Sequence, residues 1–182
     1  MQKELSQIAT RPFAIFGHSM GAHLGYRALL AQNAAPHQLV HFFPSSARSP
    51  ESVLNHGFFA AGPVTDEEIK AHIRAIGGAN DVLFQHDAFL QIMLKVLRAD
   101  AAICASLADA GQAPGLDCDV TAIGGRDDSF INLERVAEWR SVCLRRFELA
   151  TFAGGHFYLD QEISSLANLI SSTLLRAICA SK

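Results

Sequence analysis

The chain has 182 residues, 49% hydrophobic and 18% charged, a balance that suits one globular domain and excludes a disordered one. Its formal net charge of −3 gives no case for a nucleic-acid binder. No apolar run approaches the roughly 18 residues of a membrane span, and the polar start MQKELSQIATRP lacks the apolar core of a secretory signal, so a cytoplasmic protein is expected.

Residues 1–10 read as the end of a helix, with Leu5 and Ile8 on one face. Phe13, Ala14, Ile15 and Phe16 then have the character of a buried strand. Gly17-His18-Ser19-Met20-Gly21 follows without a gap, and Leu24, Tyr26, Ala28, Leu29 and Leu30 continue in a helix-forming stretch. Strand, sharp turn and helix in that order are the context a nucleophile elbow requires. Such a turn strains the serine backbone so that Oγ projects towards a substrate and a histidine. Gly17 and Gly21 are expected because a Cβ at either place would crowd the strand or the helix. The helix N-terminus favours developing negative charge, and the backbone N–H of Met20 is the expected oxyanion donor. A nucleophile strand is normally central in its sheet, yet no earlier stretch of this sequence supplies neighbouring strands.

Asn33 to Pro36 is a break, Leu39 to Phe43 a second strand, and Pro44 to Pro50 a loop at its C-terminal end, where open α/β sheets bind ligands. Residues 50–64 read as irregular. Thr65-Asp66-Glu67-Glu68 is a capping box opening a helix with Ile69, Ile73 and Ile76, which Gly77-Gly78 ends. Asp87 caps another helix, with Phe89, Met93, Val96 and Leu97 on one face. Consecutive helices over 65–110 with no strand between them are expected to form an insertion over the sheet and a lid, within a segment spanning 50–115.

Cys118 to Ile123 is the third strand, with Gly124 to Ser129 turning after it. Leu133, Val136, Ala137 and Trp139 begin a helix. Phe147 to Phe152 is the fourth strand and Ala153 to Phe157 its exit loop. Asp160 caps the last helix, whose apolar face is Ile163, Leu166, Ile170 and Leu174. The four cysteines (Cys104, Cys118, Cys143, Cys179) lack C-x-x-C or metal-ligand spacing and are expected as buried reduced thiols.

Acyl transfer needs a nucleophile, a base and an acid that orients the base. The α/β-hydrolase order is Ser, then Asp or Glu, then His, each beyond the C-terminal end of a strand. Ser19 is the nucleophile candidate. Of eight histidines, His156 alone follows a strand in a glycine-supported loop beyond the acid candidate. His18 lies inside the elbow, His23 and His72 on helices, His37 and His41 at or in a strand, and His56 and His86 in the lid segment. The acid is Asp127 or Asp128, and the residue pattern does not separate them.

The blocks RPFAIFGHSMGAHLGYRAL, TDEEIKAHIRAIGG, MLKVLRAD, CDVTAIGGRDDSF ahead of AEWR, and FAGGHFYL resemble, over essentially the whole chain, the type II thioesterases of the α/β-hydrolase superfamily. The resemblance implies an α/β-hydrolase fold: a mostly parallel sheet with flanking helices and a helical lid insertion, in one partial domain over 1–182. It also implies Asp128 as the acid, beside Ser19 and His156, because the family places its acid at the third residue after the Gly-Gly pair. The implied reaction is hydrolysis of acyl thioesters on the phosphopantetheine arm of an acyl or peptidyl carrier protein, by a monomer without metal or cofactor. Carrier proteins are acidic, so a basic docking surface is expected, with Lys70, Arg74, Lys95 and Arg98 as contributors from the lid.

The family has strands and a glycine-containing loop of the FPHAGG kind before the segment that starts here at Met1, and that loop gives the second oxyanion donor. Nothing in residues 1–11 matches it, so a form lacking the N-terminal strands is expected. A general esterase and a catalytically impaired remnant are the competing readings.

Overall fold

The computed structural model describes residues 11–31, 38–55, 65–76, 86–108 and 113–180. Four parallel strands form one sheet in the order β1 (Phe13–His18), β2 (Leu39–Ser45), β3 (Asp119–Gly125) and β4 (Phe147–Phe152). Unbroken apolar runs suit a parallel sheet covered on both faces. The expected strands are all present. β1 runs on through Gly17 and His18, β2 takes in Pro44 and Ser45, and β3 takes in Gly124 and Gly125. Among the described residues, β1 lies at one edge of the sheet.

Parallel pairing forces each connection to cross over the sheet. α1 (Met20–Ala31) joins β1 to β2, and α2 (Pro50–Asn55), α3 (Asp66–Ala75) and α4 (Asp87–Ala108) lie between β2 and β3. α5 (Leu133–Ala137) and a 3-10 turn (Glu138–Val142) precede β4, and α6 (Leu159–Ala180) follows it. Side-chain alternation along β2 divides the core. Phe42 packs with Ala22, Tyr26, Val120, Val136 and Trp139 on one face, and Phe43 with Ile123, Tyr158 and Leu166 on the other. Trp139 is fully buried and donates its indole N–H to the Ala47 carbonyl at 2.9 Å, fixing the loop after β2.

Several local readings change. Residues 50–55 are helical, not irregular: Pro50 takes the first helical position, where its missing N–H costs nothing, and Ser49 Oγ accepts the Ser52 N–H at 3.2 Å. The Thr65–Glu68 capping box forms in both directions, at 3.3 Å and 2.8 Å. Asp87 and Asp160 stand inside the first turns of α4 and α6 rather than before them. The packed face of α4 is Leu90, Met93, Leu94 and Leu97, against Ile69 and Ile73, while Phe89 and Val96 are 42% and 50% exposed. Spacing at i, i+3, i+4 and i+7 selects that face. In α6, Leu166, Ile170 and Leu174 pack but Ile163 is 60% exposed, just after the backbone leaves helical values at Glu162.

Cys118 and Cys143 are free and buried, and burial pushes the Cys118 thiol up to about 12, whereas Cys179 is exposed, contrary to expectation. The expected helix over 1–10, the break at 33–36 and the Gly77-Gly78 stop lie outside the described residues, as do His37 and His56. Among the described residues, no helix is long and apolar enough to cross a membrane.

Candidate active site

β1 ends at His18, α1 begins at Met20, and Ser19 is the single residue between them, with φ of 53°. For a residue with a Cβ, that left-handed conformation costs about 1–2 kcal/mol. The Ser19 N–H donates to the Ser45 carbonyl at 2.8 Å, and the Ser19 carbonyl accepts from Ala22 at 3.0 Å, so the strained residue is held from both sides. Gly17 is required by close approach, since a Cβ there would lie 2.3 Å from the Gly21 carbonyl oxygen. Gly21 is not: a Cβ at Gly21 would meet nothing within 4 Å, because the position faces open space. The crowded glycine on α1 is Gly25, where a Cβ would lie 2.9 Å from Ile15 Cγ2 and 3.2 Å from the Phe42 ring. Helix and strand thus meet at the Gly17–Gly21 backbone and again one turn later at Gly25.

His156 and Asp128 reach Ser19 from loops after β4 and β3. His156 Nδ1 lies 2.9 Å from Asp128 Oδ2, and His156 Nε2 lies 3.1 Å from Ser19 Oγ. The other Asp128 oxygen accepts the backbone N–H groups of Phe130 and Ile131 at 3.0 and 2.8 Å. Burial alone would raise the Asp128 carboxyl. The His156 bond and the two backbone donors outweigh it and hold the group below the usual carboxylate range. An ionised carboxylate only accepts, which places a proton on His156 Nδ1 and leaves the Nε2 lone pair for the Ser19 hydroxyl. Asp127, the neighbour that sequence could not separate from Asp128, points elsewhere and accepts the Gly154 N–H at 3.1 Å.

The Met20 N–H is the first of α1, and the first N–H groups of a helix have no intrahelical acceptor. It sits where the helix dipole favours negative charge. A cavity of about 450 Å³ opens on Ser19 and His156. α2, α3 and α4 wall it with Val53, Ile73, Ile76, Met93, Val96 and Leu97, and Phe130 and Phe157 close in near the histidine. His72 enters from α3, and burial together with nearby His156 lowers it to about 4. His23, on α1, is lowered to about 4 by burial, and His18 by burial and His156. His41 is buried elsewhere, bonded to Thr121 at 2.8 Å and stacked on Phe43. His86 is exposed, just before α4.

Of the basic residues expected on the lid, Lys70 pairs with Glu67 at 2.7 Å and Arg98 with Asp66, so part of that charge is spent within α3 and between α3 and α4. Sequence reasoning missed two buried contributors, Ser45 and Tyr158, whose hydroxyls meet at 2.7 Å across 113 positions of chain. No local pattern signals such a contact. The Asp128–Ile131 turn was legible in principle, as an Asp accepting N–H groups two and three residues on.

The profile of the thioesterase-domain family matches residues 1–174. Linear gramicidin dehydrogenase LgrE of Brevibacillus parabrevis is 34% identical over 168 residues, covering 90% of this chain and 63% of that protein. The gramicidin S biosynthesis protein GrsT of Aneurinibacillus migulanus is 28% identical over 158 residues, covering 86% and 60%. The chain thus spans 60% and 63% of the length of these relatives. The RedJ thioesterase from the prodiginine pathway of Streptomyces coelicolor superposes with a TM-score of 0.74 at 29% identity, over 92% of this chain and 67% of that one. With a parallel sheet flanked by helices and a family match over residues 1–174, the chain belongs to the thioesterase-domain family.

Proposed function

We propose that this chain hydrolyses acyl thioesters carried on the phosphopantetheine arm of acyl or peptidyl carrier proteins, as a cytoplasmic monomer of the type II thioesterase kind. The observation that carries the reading is the His156 ring, bonded to Asp128 through one nitrogen and to Ser19 through the other. Family membership and the likeness to a thioesterase of a biosynthetic pathway support it.

Ser19 Oγ attacks the thioester carbonyl carbon as its proton passes to His156 Nε2. The oxyanion forms against the Met20 N–H at the start of α1. Asp128 keeps His156 in the tautomer that can accept a proton and stabilises the imidazolium that results. The C–S bond then breaks, and His156 returns the proton to the leaving sulfur. Water, deprotonated by the same nitrogen, attacks the acyl-serine; the acyl–Oγ bond breaks, His156 returns the proton to Ser19 Oγ, and the acid leaves. The insertion over 50–115 acts as the lid, its apolar residues lining the acyl site.

A fluorophosphonate probe tests the nucleophile. Intact mass should show one adduct on the purified chain and none on Ser19→Ala. An unlabelled wild-type chain, or equal labelling of both, would contradict the assignment and favour an impaired remnant.

A further inference from the structure

We infer that Ser45 is a positioning residue for this reaction: with Tyr158 and His18 it ties the histidine loop to the nucleophile elbow. The inference rests on the Ser19–His156–Asp128 reading. β4 lies three strand spacings from β1, so the loop carrying His156 must reach across about 14 Å to meet Ser19. Asp127 and Gly154 join this loop to the turn after β3, through bonds of 3.0 and 3.1 Å. That anchor lies two strands short of the nucleophile.

Ser45 supplies the next anchor. It is the last residue of β2, fully buried, and pairs in register with His18. Its carbonyl accepts the Ser19 N–H at 2.8 Å. Its hydroxyl meets His18 Nδ1 at 2.9 Å and Tyr158 OH at 2.7 Å. Tyr158 belongs to the same loop as His156, is itself buried, and stacks on Phe152 at the end of β4. One side chain therefore touches the residue before the nucleophile and the loop of the base. The hydroxyls can run in one direction, Tyr158 donating to Ser45 and Ser45 donating to His18 Nδ1. A buried chain of this kind is stiff, since breaking any link leaves a polar group unpaired. Reaction rate is sensitive to such registration, with misplacement by about 1 Å costing on the order of 100-fold.

The test uses the full chain, fluorophosphonate labelling of Ser19, and steady-state hydrolysis of acetyl-coenzyme A, which carries the same pantetheine thioester. Ser45→Ala and Tyr158→Phe each remove one hydroxyl, and the second keeps the ring stacked on Phe152. In both, kcat and the labelling rate should fall about 10- to 100-fold while KM stays near wild type. The double variant should be no slower than Ser45→Ala, because both changes cut one chain. Labelling and turnover at wild-type rates in either variant would overturn the inference, as would effects that multiply in the double variant. A wild-type chain that leaves Ser19 unlabelled would instead bring down the triad reading, and this inference with it.

Discussion

At the ends of the strands, backbone bonds fix the three proposed catalytic groups. Ser19 hangs from Ser45, Asp128 is gripped by two main-chain N–H groups, and the histidine loop is bonded to the turn after β3. Across the cavity, α3 and α4 share a separate small core of Ile69, Ile73 and Leu94, with a capping box at the entry to α3. In the proposed mechanism the first region, tied by these bonds, carries the chemistry. The second lines the cavity with apolar side chains such as Met93 and Leu97, where the proposed mechanism seats the acyl chain. Damage to the first should therefore appear in kcat or in folding, and damage to the second in local opening.

The largest expected effect lies between adjacent aspartates. Asp128→Asn keeps the shape but offers His156 the wrong partner, and kcat should drop by about 10⁴-fold. Asp127→Asn, which retains an oxygen for Gly154, should remain far closer to wild type. Equal losses in hydrolysis rate would break the distinction drawn from their different contacts.

Two glycines provide the next test. Gly17→Ala puts a methyl 2.3 Å from a backbone oxygen, so soluble yield and melting temperature should collapse. Gly21→Ala meets nothing within 4 Å and lies in α1, where alanine is favoured over glycine by about 1 kcal/mol, so the melting temperature should hold or rise. A comparable fall in both would contradict the crowding argument.

The buried histidines predict an acid sensitivity. His72 and His23 titrate near 4 when folded, against an ordinary 6.5, so the unfolded chain binds more protons between those values. Their contribution is complete above pH 6.5 and is lost as pH falls towards 4. Each costs up to ~1.4 kcal/mol per pH unit inside that window. Urea unfolding at pH 7 and pH 5 should show a smaller difference for His72→Phe than for wild type. An unchanged difference would mean that His72 is not titrating against burial. The smallest effect is Thr65→Ala, which removes the side-chain cap of α3 for about 1 kcal/mol. Hydrogen exchange should quicken in α3, with the triad's kcat little changed.

The sheet was legible because each strand is a short apolar run, and so was the placing of Ser19, Asp128 and His156, each of which follows one. The resemblance singled out Asp128, and the structure shows a reason in its bond to His156. α2 was missed although Ser49-Pro50 marks its start, since six residues show no helical period. The faces of α4 and α6 were misjudged at Phe89, Val96 and Ile163, because apolar periodicity does not say which neighbour a helix meets. Gly21 was misread because the motif gives spacing, not surroundings. Ser45 and Tyr158 left no trace in local pattern, since only the folded sheet brings them together.

The proposed reaction is hydrolysis of a carrier-bound thioester by Ser19. The most direct measurement incubates the purified chain with an acetyl-loaded holo carrier protein and follows loss of the acetyl group by intact mass, with Ser19→Ala beside it. Loss of acetyl at least about 10³-fold faster than with the variant is the predicted result. No loss above the variant would contradict the claim that this chain, as it stands, is an active thioesterase.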